Sequence, residues 1–229
     1  MLPAYNEASA IGSTLDDLLG LLDSGPLSFE LIVCAEGEDD TRACAGERAA
    51  RDARVRVSGG PQRRGKGRAV REGVGQAAGR TIGFMDADGK TPARELLRLL
   101  SWIDAGWDVV IGSRFAPGAC VERPARLHRR LGTLAFTKAV HLLLGLRQIR
   151  DLQCGLKLFR GEVARELFAR QRIDGYLFDL ELLLLAARAG YRIKEVGVHW
   201  RDDGDSRFRP LRGGLGILAD LTRLRLGGR

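Results

Sequence analysis

The 229-residue sequence predicts an α/β protein with a mostly parallel central sheet and helices on both faces. Three observations carry that expectation. Short apolar runs alternate with stretches whose leucines recur at helical spacing through residues 1–115. Strands separated by helices pair in parallel, because the crossover needs a helix's length of chain. The apolar content is 45%, enough for one sizeable core.

The elements follow in order. Leu15, Leu18, Leu19 and Leu22 mark a first helix, and FELIVCA (29–35) a buried strand. A polar helix is expected over 40–52, a strand at VRVSG (55–59), and a helix from Lys66 to Ala78. TIGFMDAD (81–88) is the next strand; Thr91 can cap and Pro92 open the helix carrying Leu96, Leu97, Leu99, Leu100 and Ile103. DVVIGSRF (108–115) is a further strand. Beyond it come a basic helix-rich stretch (123–147), a loop at RDLQCGLKLFR (150–160), a helix (179–189) and a strand at RIKEVGVHW (192–200). The tail, 209–226, places Leu215, Leu218, Leu221 and Leu224 on one helical stripe, suited to covering the sheet or to docking on a membrane interface, with core packing preferred. Without a long linker or a repeat, 1–229 is expected to form one domain, a nucleotide half (1–115) followed by an acceptor half (116–229). Met1-Leu2 is all that precedes PAYNEA, which reads as a loop, so the first strand of the sheet is expected to be truncated, with further apolar residues upstream.

The net charge of +8 favours a polyanionic partner: nucleotide phosphates, an anionic membrane surface or nucleic acid. Aromatics are 6% and are not interleaved with the basic residues, which argues against nucleic acid. No apolar run approaches the roughly 20 residues of a membrane span. Cys34, Cys44, Cys120 and Cys154 show neither pairing nor ligand spacing, and read as small apolar residues of a reducing compartment, without disulfide or zinc.

FMDADGKTP (84–92) carries the chemistry. A strand that runs into a core yet ends on Asp86 and Asp88 makes either a turn or a carboxylate pair for a cation. Ligands of such sheets gather beyond the carboxyl ends of the strands, which favours the second reading. In extended backbone the two acids share one side.

Taken in order, PAYNEA (3–8), GKG (65–67), DADGKTP (86–92), GSRF (112–115), DLQCGLKLF (151–159), YLFDLELL (176–183) and EVGVHW (195–200) resemble the inverting glycosyltransferase family 2, in particular the dolichyl- and polyprenyl-phosphate mannose or glucose synthases. The resemblance implies a Rossmann-like nucleotide-sugar fold of the GT-A type. It further implies a UDP- or GDP-sugar donor, Mg²⁺ or Mn²⁺, a lipid-phosphate acceptor, and peripheral association with the cytoplasmic face of the membrane.

Residue by residue, it implies that Asp88 touches the metal and Asp86 lies nearer the ribose or a metal-bound water, with Ala87 between them. Pro3, Ala4, Tyr5 and Glu7 would form the first nucleotide loop, Ala4 and Tyr5 flanking the base; the alternative is a helix start capped by Asn6. CAEGEDDT (34–41) departs from the family, which shows an acid pair where Cys34 and Ala35 stand, so Glu36 would substitute one position later and the base stays open. Gly65 and Gly67 allow close backbone approach at a helix start that attracts anions, so Lys66 between them would lie beside the nucleotide. Arg114 and Arg130 would hold the acceptor phosphate, with Gln153 and Lys157 in the same pocket. Asp151 would accept hydrogen bonds from sugar or acceptor, and Asp179 matches the general base of members that act on hydroxyls. Ser206 and Arg207, in a lid-like loop (WRDDGDSRF), fall where phosphate contacts would lie. Two alternatives stay open: a soluble hydroxyl acceptor, and a non-catalytic nucleotide-sugar module.

Overall fold

The computed structural model describes residues 1–122, 127–201 and 210–226, with the side chains of 127–131, 210–215 and 217–218 outside the description. The chain opens with β1 (Leu2–Tyr5), α1 (Ala8–Asp23), β2 (Leu31–Glu36), α2 (Thr41–Arg51) and β3 (Val55–Gly60). These three strands pair in parallel in the order β1-β2-β3. Next come α3 (Lys66–Gln76), β4 (Thr81–Met85), α4 (Arg94–Asp104), β5 (Val109–Ser113), β6 (Cys120–Val121) and α5 (Leu127–Leu144). The chain finishes with β7 (Leu156–Arg160), α6 (Gly161–Arg170), α7 (Phe178–Arg188), β8 (Ile193–Gly197), β9 (His199–Trp200) and α8 (Pro210–Leu226). A second sheet runs β4-β7-β5-β8, and the Met85 N–H donates to the Met1 carbonyl at 3.0 Å, laying β4 beside β1.

Alternation along the central strands sorts side chains into two layers. Ile82, Phe84, Val109, Ile111 and Phe159 face a core shared with α3, α5, α6, α7 and α8. Met85, Val110, Leu156 and Leu158 face the other core, closed by α1, α2 and α4. The expected mostly parallel sheet with helices on both faces is thus present.

Four local expectations are corrected. The 150–160 stretch is not all loop: Leu156–Arg160 form β7, antiparallel to both β4 and β5. Helix α6 had no counterpart in the sequence reading. The 192–200 strand is two strands, β8 on β5 and β9 on β6. And 2–5 form a strand rather than a loop. The tail helix packs as preferred at Leu221 and Leu224, both buried in the first core.

Candidate active site

The carboxyl ends of β1, β2, β4 and β5 meet at one edge, as parallel α/β sheets require. There the backbone leaves β4 through Asp86, whose N–H donates to the Gly155 carbonyl at 3.0 Å. Lys66, the first residue of α3, sets its Nζ 2.5 Å from Asp86 Oδ1. Burial alone would lower the Lys66 pKa, but Asp86 and then Asp179 raise it further, so the ammonium stays charged. Asp88 accepts the Lys90 N–H at 3.2 Å, with Lys90 Nζ 3.5 Å from its other oxygen. Its carboxyl is pushed above the ordinary range by burial first and by the Asp86 charge second.

A cation beside the two acids would relieve the cost of ionising Asp88. No cluster of three or more potential protein ligands exists among the described residues. Asp86 and Asp88 offer the hard carboxylate oxygens that Mg²⁺ or Mn²⁺ takes together with substrate phosphates and water. The donor set fits.

At the neighbouring end lies a cleft of about 810 Å³ lined by Tyr5, Asn6, Gly37, Glu38, Gln62 and Arg63, among others. Tyr5 turns its ring to this cleft and meets the Arg63 guanidinium 4.4 Å from the ring centroid. Ala4 does not reach a ligand with its side chain, since alternation along β1 sends it into the core at 3% exposure. Pro3 is half-buried beside Cys34 in the β1–β2 register. Asn6 is no helix cap: it takes a left-handed φ of 55° and Glu7 occupies the α1 cap position. The Glu7 N–H donates to Thr41 Oγ1 and the Ala8 N–H to Asp39, which also accepts from Thr41. Glu36, buried at the end of β2, accepts the Arg64 and Gly65 N–H groups at 2.9 and 3.2 Å through one oxygen. The glycines around Lys66 serve a different purpose from the expected one. A Cβ on Gly65 or Gly67 would strike the Asp174 or Ile173 carbonyl at 2.3 or 2.6 Å, so they admit the chain's own 173–175 turn.

At the other end Arg114 forks onto Asp151, Nε to Oδ2 at 2.7 Å and Nη2 to Oδ1 at 2.8 Å, and its backbone N–H donates to Oδ2 as well. Burial raises the Asp151 carboxyl, yet the Arg114 charge and hydrogen bonds hold it below its ordinary value. Both Asp151 oxygens thus accept from Arg114, and the carboxylate buttresses that guanidinium. Glu195 on β8 holds the same loop by accepting the Arg150 and Asp151 N–H groups. Phe115 and Trp200 flank the guanidinium. Gln153 accepts the Tyr176 hydroxyl at 3.3 Å.

Lys157 is a correction. It sits on β7 with no exposed surface, donating to the Cys154 carbonyl at 2.7 Å and lying 3.5 Å from Asp179 Oδ2. A phosphate on the surface is out of its reach. Asp179, in the first turn of α7, is equally buried, and burial raises its carboxyl. Ser206, Arg207 and Arg126 lie outside the described residues, as does the Arg130 side chain.

Buried side-chain polar atoms without a hydrogen-bond partner concentrate here. Among the described residues there are five, and Asn6 Oδ1, Glu36 Oε1, Gln153 Nε2 and Asp179 Oδ1 belong to this edge. Sequence reasoning passed over Gly155, Tyr176 and Glu195. All three stood inside quoted motifs, but Gly155 and Glu195 act through neighbours distant in sequence and left no local signal of their roles.

Residues 1–168 match the model of glycosyl transferase family 2. The chain is 34% identical over 227 residues to the glycosyltransferase AglD of Haloferax volcanii, covering 97% of this chain and 36% of AglD. It is 34% identical over 229 residues to a dolichyl-phosphate β-glucosyltransferase of Drosophila melanogaster, covering 92% of this chain and 68% of that protein. It thus spans about a third of AglD and about two thirds of the fly enzyme. Among solved structures, glucosyl-3-phosphoglycerate synthase of Mycobacterium tuberculosis, in complex with Mn²⁺ and UDP-glucose, superposes with a TM-score of 0.71 at 23% identity, over 98% of this chain and 77% of that one. Mannosyl-3-phosphoglycerate synthase of Rubrobacter xylanophilus gives 0.70 at 20% identity, over 100% and 75%. These two share the GT-A fold with the present structure. With the motifs in order along one strand edge and the family model covering most of the sequence, the chain belongs to glycosyl transferase family 2.

Proposed function

We propose that the chain transfers a hexose from a nucleotide diphosphate sugar, of the UDP-glucose or GDP-mannose type, to the phosphate of a polyprenyl or dolichyl lipid, with inversion at the anomeric carbon. The observation that carries the reading is the set of buried polar atoms without a hydrogen-bond partner at the edge that also carries Asp86, Asp88 and Lys66. Buried polar groups in folded proteins are nearly always satisfied, so such a set marks a ligand's path. The curated relatives named as dolichyl-phosphate β-glucosyltransferases support the acceptor class.

In this reading an acceptor phosphate oxygen bonds to the anomeric carbon from the face opposite the diphosphate. The carbon–oxygen bond to the diphosphate breaks, and its electron pair leaves on the nucleotide. Mg²⁺ or Mn²⁺, held by Asp88 with Asp86 beside it, neutralises that charge when bound. Lys66 presents a second cation at a helix start, where anions are favoured. Glu36 Oε1 and Asn6 Oδ1 are acceptors for base or ribose donors. Arg114, oriented by Asp151, faces the acceptor between Phe115 and Trp200. A phosphate acceptor is ionised already and needs no base, which agrees with an Asp179 buried against Lys157.

No helix among the described residues is long and apolar enough to cross a membrane. Leu134, Leu142 and Leu143 are exposed along α5, and Arg223 and Arg225 are exposed on α8. Exposed leucines near cations suit peripheral attachment to the cytoplasmic face of a membrane.

The test is incubation of pure protein with Mn²⁺, polyprenyl phosphate and labelled UDP-glucose or GDP-mannose. Label enters the lipid fraction if the reading is right; none from any donor removes the lipid acceptor. The free Asp179 Oδ1 favours the second reading, a soluble hydroxyl acceptor, under which Asp179→Asn abolishes turnover.

A further inference from the structure

The Tyr5 ring and the Arg63 guanidinium raise a steric question that the reading above leaves open. They are 4.4 Å apart. Flat groups in contact need about 3.5–4.0 Å per layer, so a base lying between ring and guanidinium requires about 7–8 Å. In this structure a nucleobase therefore cannot stack on the cleft face of Tyr5 while Arg63 rests there. We propose that Arg63 closes the nucleobase seat on Tyr5, and that donor binding displaces it. The inference rests on the reading of residues 3–7 as the nucleotide end.

The surroundings separate a fixed part from a movable one. Arg64 is anchored by its N–H to Glu36 and by its guanidinium to Glu72 at 3.0 and 2.7 Å. Gly65 is pinned against the 173–175 turn. Arg63, one residue earlier, is exposed, and the Tyr5 ring is its sole assigned partner among the described residues. An exposed cation–π contact is weak enough to break on each binding event. Glu36 Oε1, buried, without a hydrogen-bond partner and 3.5 Å from Arg64 Nε, stands at the end of the strand that pairs with β1 at Tyr5, where it can accept a base N–H once the ring is uncovered. Closure of this kind keeps an apolar face from water until a base replaces the guanidinium.

The test separates base from phosphate. Uridine and guanosine are neutral, so their binding is insensitive to the loss of a positive charge that would weaken any phosphate ligand. Ligand-detected nuclear magnetic resonance measures their affinity for the wild type, Arg63→Gln, Tyr5→Leu and the double variant; calorimetry measures pyrophosphate with Mn²⁺. Arg63→Gln is expected to bind the recognised nucleoside about 2–5-fold tighter, the factor set by an exposed contact of about 0.5–1 kcal/mol. Pyrophosphate gains nothing, and the nucleoside gain disappears in the Tyr5→Leu background. Unchanged or weaker nucleoside binding by Arg63→Gln overturns the proposal, because Arg63 would then be a bystander or a clamp. A gain that survives without the Tyr5 ring overturns it too. If the wild type binds neither nucleoside there is no seat to close and the proposal fails, while the lipid-labelling assay still decides the transfer reaction by itself.

Discussion

Gly155→Ala is the sharpest perturbation of the metal corner, because it alters no charge. A Cβ built on Gly155 would lie 1.9 Å from Asp86 Oδ2 and 2.3 Å from its Cγ. Ordinary contact begins near 3.4 Å, so the carboxylate has to retreat by about 1.5 Å. The backbones cannot separate cheaply, since the Asp86 N–H is bonded to the Gly155 carbonyl. The Asp86 side chain, however, is about a third exposed and can turn toward solvent. Stability should therefore fall by only about 1 kcal/mol, the low end of overpacking, or roughly 2–4 °C in Tm. Function should suffer far more: a displaced support of the metal ligand set weakens Mn²⁺–nucleotide binding by about 10–100-fold. Calorimetry with Mn²⁺ and UDP, alongside a thermal melt, reads both quantities. Gly175→Ala is the control, because nothing lies within 4 Å of its added Cβ. Binding by Gly155→Ala within twofold of the wild type would show that Asp86 does not belong to the metal corner.

Lys157→Met strands the buried Asp179 charge and should destabilise the fold by about 3–5 kcal/mol in urea, with much of the loss recovered in Lys157→Met/Asp179→Leu; equal stability of the single variant and wild type would refute the pairing. Asp88→Asn keeps shape but removes a charge, so nucleotide affinity should lose most of its Mn²⁺ dependence while the melt stays near wild type, as titration with and without chelator would show. Asp151 has a folded pKa below its unfolded value of about 3.9, so its stabilisation is present above that pH and is lost as pH falls through the lower folded value. The Tm difference between wild type and Asp151→Asn should accordingly be flat above about pH 5 and shrink in more acidic melts.

How much of this was legible in the sequence depends on whether a residue's partner is near it along the chain. β2, β4 and β5 were readable because each is a run of apolar residues closed by polar ones, and the acids after β4 fell where ligands of α/β sheets gather. β7 was hidden by Lys157, which interrupts LKLF with a charge. Its burial is tolerable only because Asp179, on another element, comes to 3.5 Å. β1 was hidden by Pro3, a residue seldom found inside strands. The glycines around Lys66 were read correctly as sites of close approach but assigned the wrong visitor, since nothing local announces the 173–175 turn. Arg114 was placed at the functional edge, yet its partner Asp151 stands 37 positions away and was read as a ligand of substrate.

The alternation of charge across this edge explains why two lysines and two aspartates can be held around aromatic rings. Lys66 Nζ lies 5.9 Å from the Phe84 centroid and 5.8 Å from that of Phe178, and Lys157 Nζ lies 5.6 Å from Phe84. Each ammonium has a carboxylate neighbour: Asp86 for Lys66, and Asp179 for Lys157, with Asp179 also felt by Lys66. Taken alone, buried Lys157 or Asp179 would face a desolvation cost of several kcal/mol, and the partly exposed Lys66 or Asp86 a smaller one. Together they sum to zero, and the ring faces attract both cations. Under the proposed reaction, Asp86 would be shared between Lys66 and a divalent ion, and Lys66 would turn to the nucleotide diphosphate for its anion. Such an exchange would substitute one neutral set of pairs for another, so that a charged ligand could load and leave without an ion uncompensated against Phe84 and Phe178.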